Sequence, residues 1–326
     1  MKETGSGNLT TISHILLLGF GNLKELWIPL FTGFLAVYII SMAANLLLVV
    51  LDPHLQTPMY FFLSSHSCLV IVSSSNISPV MLTGLQTGNV MITLGGCLAQ
   101  LYLFGALATV EYFLLAAMSY DRYLAVCRPL HYPSLMDGRV CRQLVVGSWV
   151  GRFLFMGILS LSLIALSFCG PCEIDHYFCG FQPLLELSCT NTSMVQMVTF
   201  FLSFIPASPF LLTVASYVCI TWAVLRVPSA SGRHKALSTC SSHLTVVILF
   251  YGTLVAVYMS PRDGMGLNPS KALSLLYTVL TPLLNPLVYS LRNQEVSKAC
   301  GRVARMVSLG GYATGRSPSH GPPNSC

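Results

Sequence analysis

The chain has 326 residues, 54% apolar and only 9% Asp, Glu, Lys or Arg, with a formal net charge of +6. Soluble domains carry about 25% charged residues, so a chain this long could not cover a water-exposed surface, and it is too apolar and too regular to be disordered or fibrous. An integral membrane protein remains. No Asp, Glu, Lys or Arg occurs between His54 and Glu111. The apolar runs are continuous rather than alternating, which predicts helices and not barrel strands.

Residues 1–26 read as a tail, with a glycosylation sequon at Asn8-Leu9-Thr10. Ile15 to Leu18 is too short an apolar core for a cleavable signal peptide, and Gly21-Asn22 and Lys24-Glu25 follow it. The first helix is therefore expected to serve as its own insertion signal. A span needs about 20 apolar residues, which places the first at 27–51, ended by Asp52-Pro53. The charge-free stretch beyond is too long for one span. Pro79, Gly84, Gly88, Asn89 and Gly95-Gly96 predict a loop inside it, giving spans at 58–82 and 97–120. Further spans are predicted at 140–166, 195–222, 237–259 and 271–291. The reading is an all-α membrane protein, a seven-helix bundle over 27–291 with a cytoplasmic tail at 292–326.

With the amino terminus outside, the inner connections hold Arg122, Arg128, Arg139, Arg142, Arg226, Arg233, Lys235, Arg292, Lys298, Arg302, Arg305 and Arg316. The outer side holds only Lys2, Lys24, Arg262 and Lys271. Positive charge favours the cytoplasm, so twelve against four sets the orientation. Five cysteines then fall outside, at positions 97, 169, 172, 179 and 189. Four of these crowd the long loop after the fourth span, which reads either as a lid stapled by disulfides or as a set of thiols; of five, at least one stays without a partner within the set. Asn191-Thr192-Ser193 is a second outer sequon, and Asn76-Ile77-Ser78 reads as a chance match within the membrane.

Four motifs stand at helix ends. The third span closes on Met118-Ser119-Tyr120-Asp121-Arg122-Tyr123-Leu124-Ala125-Val126-Cys127, followed by Arg128-Pro129-Leu130-His131-Tyr132. The seventh closes on Pro282-Leu283-Leu284-Asn285-Pro286-Leu287-Val288-Tyr289. The second opens with Pro58-Met59-Tyr60-Phe61-Phe62-Leu63-Ser64, the sixth with Lys235-Ala236-Leu237-Ser238-Thr239-Cys240-Ser241-Ser242-His243-Leu244. Together they resemble the odorant receptors, a branch of the rhodopsin-like G-protein-coupled receptors, from about Leu17 to Arg292.

The resemblance implies a role for each motif. Asp121 would hold Arg122 at rest and release it to a heterotrimeric G protein of the stimulatory, olfactory type, raising cAMP. Taken alone, this pair is an interfacial charge pair anchoring a helix. Tyr123, Tyr217, Asn285, Pro286 and Tyr289 match the coupling and activation positions. Pro286 removes a helical hydrogen bond and leaves a bend, either a plain kink or a pivot. A small, uncharged volatile odorant would bind in the outer half of the bundle. The matching positions are Phe104, Gly105, Ala108 and Thr109 on the third span, Phe201 and Ile205 on the fifth, Tyr251, Leu254, Val255 and Tyr258 on the sixth, and Leu275 and Thr278 on the seventh. Helical spacing by itself more often signals core packing. The set contains no acid, which argues against an ammonium ligand. Tyr251 would be the toggle at the pocket floor. Cys97 would pair with Cys179, leaving Cys169 for Cys189; pairing of Cys97 with Cys189 is the alternative. No metal, cofactor or nucleic acid is expected.

The chain also departs from the family. Val70 stands where the second span usually carries an Asp, while its partner around a sodium ion, Glu111, is kept, so sodium control is expected to be weak or absent. Arg152 is an unusual charge inside the fourth span. Intramembrane ions are costly and usually paired, so Arg152 is expected either to neutralise Glu111 at similar depth or to snorkel. Ala44-Asn45 replaces the usual Gly-Asn, and the acid that often follows Cys179 is missing. After Leu291, Val296, Cys300, Val303 and Val307 make one stripe, with Lys298, Arg302 and Arg305 off it, predicting a short amphipathic helix on the inner leaflet. Cys300 is a candidate for palmitoylation or a plain thiol. From Ser308 onward, Gly, Pro and Ser predict disorder. A transporter, the main rival, would show internal repeats and paired broken helices. An intramembrane enzyme would show a nucleophile–base, two-His or paired-Asp constellation, and neither pattern is present.

Overall fold

The structure is a computed structural model that describes residues 13–21, 26–51, 57–169, 172–205, 207–259 and 269–292. Its first span is α1 (Trp27–Leu51) and its second α2 (Pro58–Thr87). The third is α3 (Leu94–Cys127), and after the single turn α4 (Tyr132–Leu135) the fourth is α5 (Gly138–Ile164). The turn α6 (Phe181–Glu186) lies in the long outer loop. The fifth span is broken into α7 (Ser193–Ser203) and α8 (Ala207–Leu225), and the sixth is α9 (Ala230–Met259). The seventh runs as α10 (Pro269–Leu275), a π-helical turn (Leu276–Leu280) and α11 (Thr281–Arg292). Charge counting makes the end bearing the amino-terminal strand the outer one. The predicted amphipathic helix, Cys300 and the Asn8 sequon lie outside the described residues.

Several boundaries differ from the sequence reading for identifiable reasons. Pro79 and Gly84 do not end the second span; both lie inside α2, which stops at Gly88. That glycine has φ 83°, in the left-handed region where a Cβ is unwelcome, and its N–H closes on the Gly84 carbonyl. The third span then starts three residues early, because the Thr93 hydroxyl accepts the Gly96 N–H and caps it. Asp137 caps the fourth span in the same way, accepting the N–H groups of Arg139 and Val140 at 3.0 and 2.8 Å. The fifth span breaks between α7 and α8, where the sequence carries Pro206, a residue that donates no helical N–H and restricts the residue before it.

The outer end carries a small sheet that sequence reading did not find. Strand β1 (His14–Leu17) pairs antiparallel with β2 (Val90–Thr93) and parallel with β3 (Glu173–Ile174). The burial of β1 alternates, with Ile15 and Leu17 facing inward onto a cluster that includes Cys97, Leu101, Phe168 and Cys179. The run dismissed as too short for a signal peptide is thus long enough for a strand, which needs only period-two burial. It ties the amino-terminal segment to the outer loop and to the second–third connection.

Candidate functional site

The outer half of the bundle is closed by its own loop. A disulfide joins Cys97, at the outer end of the third span, to Cys179, and a second joins Cys169 to Cys189. Cys172 is exposed and belongs to neither link. Next to the first link, Gln100 accepts the Cys179 N–H at 2.9 Å and exchanges amide bonds with Asn76 on the second span, each at 3.1 Å. Asn76 is therefore engaged inside the bundle, in keeping with its sequon being a chance match.

The loop then dips between the helices. Tyr177 is buried, stacks on Phe20 and meets the Thr278 hydroxyl at 3.0 Å. Phe178 packs on Phe104, its ring centroid 5.3 Å away, and Tyr277 completes that group at 5.8 Å from Phe104. Above them Lys271 is buried, donating to the Gly19 carbonyl and to Asp175. One cation thus holds the amino-terminal segment, the loop and the seventh span together. Burial and the charge of Lys271 push His176 down to about 4, so it is neutral at physiological pH.

The predicted ligand positions separate into groups. Phe104, Leu275 and Thr278 meet beneath the loop around Tyr177 and Phe178. Ala108 is half-buried, and Thr109 is buried with its hydroxyl donated to the Gly105 carbonyl. Gly105 faces the fourth span: a Cβ there would stand 2.3 Å from the Met156 Cε. Tyr251 lies deeper, packed on Phe210 and Tyr112, with its hydroxyl buried. Leu254 packs on the inner cluster around Val246 and Phe250. Phe201 and Val255, by contrast, are exposed on the outside of the bundle, and Ile205 sits half-buried at the break of the fifth span. The side chain of Tyr258 lies outside the described residues. A shallow crevice between the first, second and seventh spans, with room for about one water, shares only Thr278 with the predicted set.

At the inner end Asp121 is fully buried and accepts from Arg122 Nε at 3.0 Å and from Arg122 Nη2. Its other oxygen accepts the Tyr132 hydroxyl at 2.8 Å. Burial and the Asp121 charge push the Tyr132 phenol well above its ordinary value, so it remains a donor. Tyr123 stacks with Tyr120 and packs near Tyr217. The Tyr217 hydroxyl meets His243 Nδ1 of the sixth span at 2.6 Å. Pro286 offers no N–H to the Pro282 carbonyl, and Ser41 and Asn45 of the first span donate to that carbonyl instead, at 3.0 and 3.3 Å. Asn285 is buried, and among the described residues neither of its side-chain polar atoms has a hydrogen-bond partner. The side chain of Tyr289 is outside the described residues.

The expected pairing of Glu111 with Arg152 does not form. Glu111 Oε1 lies 3.2 Å from His66 Nε2 on the second span, one helical turn from Val70. Arg152 instead stacks over Phe113, 3.6 Å from its ring centroid. Two residues turn an α-helix by about 200°, so Glu111 and Phe113 face nearly opposite sides of the third span, and similar depth did not mean proximity. Sequence reading also passed over Tyr177, Phe178, Lys271 with Asp175, His66, Tyr132 and His243 as site residues. The last two lay inside quoted motifs. The others had no local signal, because the partners that place them are 45 or more residues away.

The sequence profile of the olfactory receptor family matches residues 34–308. Human olfactory receptor 6N1 is 42% identical over 309 residues, covering 93% of this chain and 99% of that protein. Human olfactory receptor 6A2 is 44% identical over 296 residues, covering 88% and 90%, and mouse olfactory receptor 5B21 is 42% identical over 304 residues, covering 92% and 95%. Squid rhodopsin superposes with a TM-score of 0.66 at 15% identity, over 85% of this chain and 80% of that one, a likeness of fold. The helices Trp27–Val50, Pro58–Thr87, Leu94–Cys127, Gly138–Ile164 and Ser193–Leu225 are each long and apolar enough to cross a membrane. A seven-helix bundle of this kind is a multi-pass plasma-membrane receptor that signals through a G protein, and the chain belongs to the olfactory receptor family.

Proposed function

We propose that the protein is a receptor for a small, uncharged odorant held beneath the outer loop, and that it activates a stimulatory G protein to raise cAMP. The observation that carries the ligand reading is the group formed by Phe104, Phe178, Tyr177 and Thr278, with the buried Tyr251 hydroxyl deeper in the bundle. Aromatic walls with a few hydroxyls suit an apolar molecule bearing one hydrogen-bonding group. Two described carboxylates near this region are engaged, Asp175 by Lys271 and Glu111 by His66, which disfavours an ammonium ligand. The same engagement of Glu111, with Val70 at the other position, supports the absence of sodium control.

Coupling rests on the buried Asp121 and its release of Arg122 at the cytoplasmic face. The test is cAMP accumulation in cells expressing the chain, exposed to alcohols, ketones, esters and amines of similar size. Responses to the neutral volatiles that vanish when the stimulatory G-protein subunit is deleted support the reading. Responses confined to amines, or persisting without that subunit, contradict it.

A further inference from the structure

Arg152 is a charge in the middle of the membrane that the receptor scheme does not use. It lies 14 residues from the inner end of the fourth span and 12 from the outer end, about 21 and 18 Å at the rise of an α-helix. Neither interface is within reach of a side chain from that depth. Its guanidinium covers the face of Phe113 at 3.6 Å and stands 5.9 Å from the ring centroid of Phe155. Among the described residues no carboxylate lies within ion-pair distance, and Arg152 Nε is buried without a hydrogen bond.

The place is accessible from the lipid. Arg152, Phe113 and Phe155 are all half-buried, and Leu154 beside them is exposed. The fourth span packs on the second, the third and the outer segment of the fifth, whereas the inner segment of the fifth packs on the third and sixth. A Cβ built on Gly151 would meet nothing within 4 Å, so there is open space beside Arg152. The odorant region is separate, since Tyr112, one residue before Phe113, turns inward onto Phe250 and Tyr251.

We propose that Arg152, with Phe113 and Phe155, forms a membrane-facing binding site for a lipophilic carboxylic acid. A guanidinium stacked on one aromatic ring keeps its in-plane N–H groups for a carboxylate, which matches its fork with two parallel hydrogen bonds. The pair replaces an unpartnered charge in hydrocarbon with a neutral unit, and an alkyl tail lies along the apolar surface around Leu154. A second copy of the chain cannot serve this charge. Among the described acids, only Glu111 falls at this depth, and it faces the second span and His66. The acid comes either from the bilayer, as a long-chain fatty acid, or from outside, as a short-chain one.

The test uses the full-length receptor in cell membranes and a long-chain fatty acid bearing a photoreactive diazirine near its carboxyl group. Illumination should label peptides containing Phe113 and Phe155. Excess unlabelled fatty acid should suppress that labelling, and its methyl ester should not. Competition by short-chain acids as well would assign the site to an external ligand; competition by long-chain acids alone would assign it to a bilayer lipid. In Arg152→Gln, which removes a membrane charge and should reach the surface at least as well as wild type, specific labelling should fall at least about tenfold, the value of one charge-assisted hydrogen bond. Equal labelling by acid and ester in the wild-type receptor overturns the proposal even if the variant fails to fold. Unchanged labelling in a surface-expressed Arg152→Gln, or capture of a second polypeptide at Leu154 with no acid labelling, also overturns it.

Discussion

The two ends of the bundle are held together by different physics. At the outer end, two disulfides, a three-stranded sheet and a buried lysine fix the amino-terminal segment, the long loop and the third and seventh spans in one packed block. At the inner end the cross-links are polar side chains: Arg122 and Tyr132 on Asp121, and Tyr217 on His243. A covalent link closing a long loop stabilises one arrangement and is not exchanged on the time scale of signalling. A buried hydrogen-bonded pair can be traded for another pair, which makes it suited to a two-state element. The contrast fits the proposed division of labour, in which the outer block shapes a site and the inner network stores the resting state.

The largest effect is expected from cutting the outer block. Cys97→Ser or Cys179→Ser removes a link spanning 82 residues, about 4–5 kcal/mol in the chain-entropy account. Surface receptor, measured by antibody labelling of intact cells, should fall more than tenfold, and peptide mapping without reductant should recover both links from wild type. Recovery of Cys97 as a thiol in surface protein would remove the basis of the comparison. Between the two ends, His66→Leu strands the Glu111 carboxylate in the bundle, at a cost of about 3–5 kcal/mol if it stays charged. Surface expression should drop several-fold and recover when Glu111→Gln is added; simply additive losses would show that the two groups are uncoupled.

Smaller changes sharpen the inner half. Tyr132→Phe deletes one hydrogen bond to a charged acceptor, about 1.5–3 kcal/mol, and should raise ligand-independent cAMP several-fold at unchanged surface expression. The smallest effect is that of His176. Its value in the fold is about 4 against 6.5 when unconstrained. A lowered histidine binds fewer protons folded than unfolded, so its stabilising contribution is complete above pH 6.5 and lost progressively as pH falls toward 4. Thermal stability in detergent should decline between pH 7.5 and 5 by at most about 2 kcal/mol, and His176→Phe should flatten that decline.

Much of this was written locally in the sequence. Uninterrupted apolar runs and the lysine–arginine asymmetry gave the seven-helix bundle, and four motifs at helix ends led to the family. What escaped was set by three-dimensional neighbours. The strand at Ile15 to Leu17 is only stable because β2 and β3 flank it. Pro79 was read as a breaker, but a proline within a long buried helix is tolerated. Arg152 and Glu111 had matching depth, and only their azimuths, about 200° apart through Phe113, decide that they do not meet. Phe201 matched a pocket position of the family, yet it is exposed on the outside of the outer segment of the fifth span.

In the proposed mechanism Asp121 restrains Arg122 at rest, and the freed arginine drives coupling. The direct measurement is nucleotide exchange on a purified stimulatory G protein by membranes carrying Asp121→Asn, Arg122→Ala and the double variant, matched for surface receptor. The account predicts raised odorant-independent exchange for Asp121→Asn, silence for Arg122→Ala, and silence for the double variant. Asp121→Asn at the wild-type basal rate together with a normal odorant response from Arg122→Ala would contradict it.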